Sequence, residues 1–183
     1  MKHTITLRIG RSALVTALAG GVALAGVAPA ANAAASAAPT ASAAQQMTIG
    51  PFGYGPLKLG MSAARAKATG KIVRKTINAP TTCSAWDLKE QKYDGDRAGV
   101  FISKTQGVVT ISAPGSVKTP QGIGRGSTPA QLKAAYPNLK QSRLYGTPVA
   151  AVPGNPKAIY VFLASKNMVV GVTLVLTAQT CLR

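Results

Sequence analysis

Leu57-Lys-Leu-Gly-Met-Ser-Ala-Ala-Arg-Ala-Lys-Ala-Thr-Gly70 and Ile123-Gly-Arg-Gly-Ser-Thr-Pro-Ala-Gln-Leu-Lys-Ala-Ala-Tyr136 read as two versions of one unit. Placing Gly60 on Gly126 also places Leu57 on Ile123, Ser62 on Thr128 and Lys67 on Lys133. Each stretch is a short extended piece, a glycine turn, a hydroxyl residue and an Ala-rich run. Ser62 suits an N-cap, because its oxygen can accept a backbone N–H from the first helical turn. Thr128 and Gln131 have the spacing of a capping box, and Pro129 falls at the first helical position, where its missing N–H costs nothing. Gly70 suits the left-handed position after a helix, and Tyr136-Pro137 stops the second helix because the residue before proline avoids helical angles.

Strand-like sequence follows each expected helix. After the first come 82–89, 98–103 and 108–113, with a turn at Thr105-Gln-Gly107. After the second come 143–152, 159–164 and 168–177, with a turn at Ser165-Lys-Asn167. Sequential hairpins imply an antiparallel sheet, and helices ahead of each set imply packing on one face. The expected fold class is therefore α+β. Two helix-plus-antiparallel-hairpin repeats, about 55–115 and 121–180, would form one sheet with helices packed on one face. Phe101 and Phe162 take matching places in the two sets of strands. Val169–Leu176 is apolar on both faces, as in a strand that is deeply buried or awaits a partner.

Two helix-then-hairpin units, each opened by a Leu-Gly-Met-Ser-like turn, resemble the β-lactamase-inhibitory-protein-like fold. They also resemble the smaller outer-membrane assembly lipoprotein module, which shares its helix–sheet plan. More closely, the Gly-Ile-x-x-Gly-Ser-Thr stretch ahead of a Tyr-Pro-terminated helix is similar to that of secreted actinobacterial tandem-repeat proteins. The resemblance spans roughly 55–183 and implies a fold and a protein-binding, inhibitor-like role. The second unit departs from the pattern with Ser127 in the place of Met61 and Tyr136 in the place of Gly70.

Residues 1–33 read as a signal peptide. Lys2, Arg8 and Arg11 precede an apolar run over 12–28, and small-residue sites follow, with cleavage expected after Ala33. Residues 34–46, rich in Ala, Ser and Pro, cannot bury enough surface to order themselves and read as a flexible leader. A single domain is expected over 47–183. Export to an oxidising compartment changes what two cysteines mean, and Cys83 with Cys181 predicts one disulfide.

Composition removes several chemistries. The one histidine, His3, lies within the expected signal, so no imidazole remains for a triad, a zinc site or a proton shuttle. The four carboxylates, Asp87, Glu90, Asp94 and Asp96, fall in one window beside an Asp94-Gly95-Asp96 turn. Glycosidic acid–base pairs must flank a cleft from opposite sides, which so close a set does poorly. The same window lacks the further acidic ligands of a calcium loop. Gly122-Ile-Gly-Arg-Gly126 offers Arg125 and backbone amides to an anion, but it matches no dinucleotide or P-loop pattern, and turn geometry alone is the favoured explanation. No Ser-x-x-Lys element opens a helix.

Charge is the strongest global signal. The chain carries 21 Lys and Arg against four acids, and loss of Lys2, Arg8 and Arg11 with the signal leaves 18 against four, a net charge of +14. Such a field draws anionic partners. Nucleic acid is disfavoured, because the cations are scattered and aromatics make up only 5% of the chain. The expected partner is an acidic protein or an anionic cell-wall polymer. Tyr160 and Phe162 share one side of their strand, and if the helices cover Val161 and Leu163, these rings face outward with Phe101 and Trp86. The expectation is thus a secreted, non-catalytic binding module. It would recognise its partner through Trp86, Phe101, Tyr160, Phe162 and Arg125, with no cofactor and no membrane span after signal removal. An extracellular polymer hydrolase using the acidic window, and a wall-adhering structural protein, are the alternatives.

Overall fold

The computed structural model of the chain describes residues 47–182. The expected signal (1–33) and leader (34–46) lie outside those residues. A small meander comes first: β1 (Ile49–Gly50), β2 (Gly53–Tyr54) and β3 (Leu57–Lys58) form a three-stranded antiparallel sheet. Helix α1 (Ala63–Ala68) leads into β4 (Ile72–Lys75), β5 (Cys83–Leu88), β6 (Val100–Ser103) and β7 (Gly107–Ser112). Helix α2 (Pro129–Ala135) leads into β8 (Lys140–Gln141), β9 (Pro148–Val152), β10 (Asn155–Ser165) and β11 (Met168–Leu176). The last eight strands make one antiparallel sheet in the order β4-β5-β6-β7-β11-β10-β9-β8.

This overturns the expected fold class. Strand accounts for 41% of the described residues and helix for 10%, so the protein is mostly β rather than two helix-plus-hairpin repeats under a helical layer. The physical reason is helix length. The two helices have six and seven residues, and each places a single residue, Ala66 or Leu132, in the core. Helices of that size cannot cover an eight-stranded sheet. Much of the cover comes instead from Ile49, Tyr54 and Leu57 of the meander and from Val117, Ile123 and Tyr136 of the loops.

Local chemistry still decides where each helix begins. Ser62 accepts from the Arg65 amide, and Thr128 and Gln131 form the reciprocal capping box. The turns ahead of the helices dock against strand starts. Gly60 N–H donates to Val108 O and Val108 N–H to Met61 O, while Gly126 and Ser127 exchange the same pair of bonds with Val169. Gly107 must be glycine for this contact: its φ is +71°, and a Cβ there would stand 2.5 Å from the carbonyl oxygens of Gly60 and Met61.

Alternation along the strands divides the sheet into two faces. The covered face carries Trp86, Leu88, Val100, Ile102, Ile111, Tyr160, Phe162, Val172 and Leu174 in one core. Tyr160 and Phe162 are 0% exposed and join Tyr136 in an aromatic trio with ring centroids 5.2–6.1 Å apart. The Tyr160 hydroxyl donates to Ile49 O at 2.8 Å and so ties the meander to the sheet. On the other face, Cys83 and Val109 pack with Cys181, Phe101 and Leu176. Cys83 and Cys181 are disulfide-bonded, as their number and expected compartment suggested.

Burial of phenols sets an alkaline limit on this core. Burial pushes the Tyr136 hydroxyl up to about 12; burial, then the nearby Glu90 carboxylate, does the same to Tyr54. Tyr160 is raised by burial and then by Tyr136. Each fold-stabilised neutral phenol contributes fully below pH 10, where the unfolded chain is also protonated. That contribution is lost as pH climbs toward the folded value, at up to about 1.4 kcal/mol per pH unit per residue. Urea midpoints measured between pH 9 and pH 12 should hold level to about pH 10 and then fall steeply. A level midpoint throughout would contradict this account.

Candidate functional site

The face opposite the core is only partly covered, and two adjoining hollows on it form one groove. The first, of about 170 Å³, is lined chiefly by Ala98, Phe101, Tyr145, Val161, Leu163, Val175 and Leu182. The second, of about 360 Å³, is bounded by Lys92, Tyr93, Arg97, Arg125, Leu163 and Val170. Ser112, Leu163 and Thr173 belong to both hollows, so the groove is continuous along β11. Its floor is open, with Leu163 47% and Val170 42% exposed beside the hydrogen-bonded hydroxyls of Ser112 and Thr173.

Three pieces of chain build the walls. The connection between β5 and β6 is pinned by Asp87, which accepts from Gly99 N–H at 2.9 Å and from Tyr93 N–H at 3.2 Å. Lys75 Nζ lies 3.5 Å from the same carboxylate and also donates to the Tyr93 carbonyl. Asp87 is buried, and its pair with Lys75 is the one ion pair among the described residues. The Tyr93 ring lies against Gly99, where a Cβ would approach it to 3.0 Å, so a larger residue there would push the ring outward. Gln91 donates to the Tyr93 hydroxyl and accepts from Gly115 N–H, joining this wall to the loop after β7. Burial raises the Tyr93 phenol above its ordinary value, so it stays protonated.

The second wall is the turn between β8 and β9, which presents Tyr145. The third is the C-terminal segment, which leaves β11 and returns over β7 and β6 to the Cys83–Cys181 bond. Buried Gln179 holds these two together, donating to the Tyr145 hydroxyl at 3.1 Å and accepting from Leu182 N–H at 2.9 Å. Gln106 Nε2 donates to Ala178 O from below.

Two cations are held ready at the wide end. The Arg97 guanidinium sits over the Tyr93 ring at 5.4 Å, and Arg125 lies against Gly115, its Nη1 3.6 Å from where a Cβ would stand. Both are exposed, as is Lys92. Among the described residues, no carboxylate lines either half of the groove.

The expected binding residues divide. Phe101 and Arg125 reach the groove, one at each end. Trp86, Tyr160 and Phe162 do not, and for them the reading is corrected. Trp86 is 6% exposed, with its ring under Arg74 and its indole N–H bonded to Ser84 Oγ, on the covered face near the β4 edge. Tyr160 and Phe162 lie within the core because that face of β10, not the one bearing Val161 and Leu163, is the covered one. Tyr93, Arg97, Tyr145 and Leu163 are the groove residues that sequence reasoning did not select. The available signal was an aromatic residue set between cations and a turn, in Lys92-Tyr93-Asp94-Gly95 and in Arg143-Leu144-Tyr145-Gly146. The expected acidic window is dispersed: Asp87 is consumed in the wall, while Glu90, Asp94 and Asp96 are exposed.

Compared with known protein families, with curated proteins and with solved structures, the chain matches none. Among the described residues no helix is long and apolar enough to cross a membrane.

Proposed function

We propose that the protein is a secreted, non-catalytic binding module that engages an anionic partner across this groove. The observation that carries the reading is the assembly, around one open hollow, of two exposed arginines, one of them over the Tyr93 ring, and a lysine, with no carboxylate among the described lining residues. Guanidinium groups suit forked recognition of carboxylate or phosphate, because their planar set of donors matches two oxygens at once. The overall positive charge of the chain adds long-range attraction. The acidic window of the hydrolytic alternative is not assembled in the groove: Asp87 is bonded within its wall, and Glu90, Asp94 and Asp96 are outside the described lining.

The test separates the site from bulk charge. Material retained from culture supernatant and wall extract is compared for the native protein, for Arg97→Ala with Arg125→Ala, and for Arg65→Ala with Lys67→Ala. The second pair removes the same charge from the exposed face of α1. Loss of retention is expected for the groove pair alone, about 10-fold or more at low salt, since each hydrogen bond to a charged group contributes roughly 1.5–3 kcal/mol. Equal loss from both pairs would reduce the attraction to unspecific charge and overturn the reading.

A further inference from the structure

The two halves of the groove have opposite chemistries, and one ligand must satisfy both. The narrow half is walled mainly by Phe101, Tyr145, Val161, Val175 and Leu182, with the hydroxyls of Thr110, Ser112 and Thr173 also in its lining and no charged side chain among the described residues there. An apolar cavity of about 150 Å³ accepts a benzene molecule, so 170 Å³ takes one side chain of Leu, Met or Phe size. The wide half carries Lys92, Arg97 and Arg125. Val175 and Val170 mark its ends along β11, five residues apart, a run of about 17 Å of extended chain.

We infer that the groove takes an extended acidic segment of another polypeptide, seating one large apolar side chain against Phe101 and Tyr145 and presenting Asp or Glu to Arg97 and Arg125. This rests on the reading of the groove as an anion-binding site and narrows it to one class of partner. Charge complementarity argues for an acidic occupant; the segregation of the groove argues for a peptide. A uniform polyanion such as a polyuronate bears charge on every unit and has no apolar branch to fill the narrow half. The described lining of that half offers a carboxylate hydroxyls but no cation, whereas the wide half offers three. A polypeptide can put an apolar residue and an acidic one a few positions apart, and about five extended residues cover the distance. The peptide lies on the sheet rather than joining it, because β6, β7, β11 and β10 are paired on both sides. Specificity is therefore carried by side chains.

The experiment is a displayed random-peptide library selected against the native protein, against Leu163→Glu, and against Arg97→Gln with Arg125→Gln, at two salt concentrations. Polygalacturonate binding is measured in parallel. Leu163 is half-exposed on the groove floor, so a carboxylate there leaves folding intact and repels an acidic ligand; thermal denaturation checks that it does. The expected result is enrichment of peptides pairing a large apolar residue with Asp or Glu within about four positions, lost in both variants. Replacing the apolar residue of an enriched peptide by Ser should weaken binding about 10-fold or more. Enrichment of acidic residues without an apolar one, or binding of polygalacturonate alone, overturns the peptide inference and leaves the anionic reading standing. Failure of every anionic probe at low salt overturns both.

Discussion

Removal of the Cys83–Cys181 bond, by reduction or by paired Ser substitution, is expected to lower the unfolding free energy by about 4–5 kcal/mol. The bond closes a separation of 98 residues, and chain-entropy reasoning assigns a loop of that size a restriction of about this magnitude in the unfolded state. The effect should show as a shift in the denaturant midpoint, with the native protein measured with and without reductant. A second consequence is local. The bond anchors the segment bearing Gln179 and Leu182, and Gln179 in turn holds Tyr145. Freed of its anchor, that segment no longer walls the narrow half of the groove. Reduction should therefore weaken ligand binding even under conditions where the sheet remains folded. A midpoint unmoved by reductant would contradict the stability account.

Phe162→Ala is the other large effect. Had Phe162 faced outward, truncation would cost binding and spare the fold. Its actual place, fully buried against Tyr136 and Tyr160, predicts a loss of about 3–5 kcal/mol, the usual cost of deleting a core phenyl group and leaving its cavity. Thr147 donates to the Phe162 carbonyl, so collapse of the strand would also disturb the turn that presents Tyr145. Phe101→Ala is the informative comparison. Its ring is half-buried in the groove wall, and its truncation should cost clearly less stability while reducing occupancy of the narrow hollow. Equilibrium urea unfolding of the two variants distinguishes them: equal destabilisation would mean that the two rings are equally part of the core.

These two phenylalanines show where the sequence could and could not be read. Local signals were sufficient for the caps at Ser62 and Thr128, for the left-handed Gly70 and for the turn at Lys166-Asn167, where both residues have positive φ. Those features depend on a handful of neighbouring residues. The stretches 82–89, 98–103 and 168–177 also contain the observed β5, β6 and β11, and 108–113 meets β7 one residue out of step, because their apolar, β-branched content is a property of the segment itself. The balance of the fold was not legible in the same way. Ala-rich runs suggested a helical layer, but their lengths are cut to two turns by Gly70 and by Tyr136-Pro137. The three two-residue strands of the meander are too short to carry a period.

The side of the sheet was also hidden. Alternation along Tyr160, Val161, Phe162 and Leu163 assigns the residues to two faces without saying which is covered. Val161 and Tyr160 are both buried, since the Tyr145 turn and the returning C-terminal segment shelter part of the second face. Only the assembled chain distinguishes core aromatic from groove aromatic. Arg125 was selected for its glycine-rich setting and reaches the groove for a different reason: it lies across Gly115, close to the wall that Gln91 and Tyr93 build.

The position of β11 has a kinetic consequence. The last strand in the chain is not at an edge; it sits in the middle of the sheet between β7 and β10, meeting β7 through Thr173–Ser112, Leu174–Ile111 and Val175–Thr110. Those partners are more than sixty residues apart, so the seam between the halves is a contact of high order and slow to form. A polypeptide emerging amino end first would hold β4 to β7 with one flank of β7 unpaired until β11 had appeared. A chain stopped short of residue 168 therefore lacks its keystone rather than its fringe.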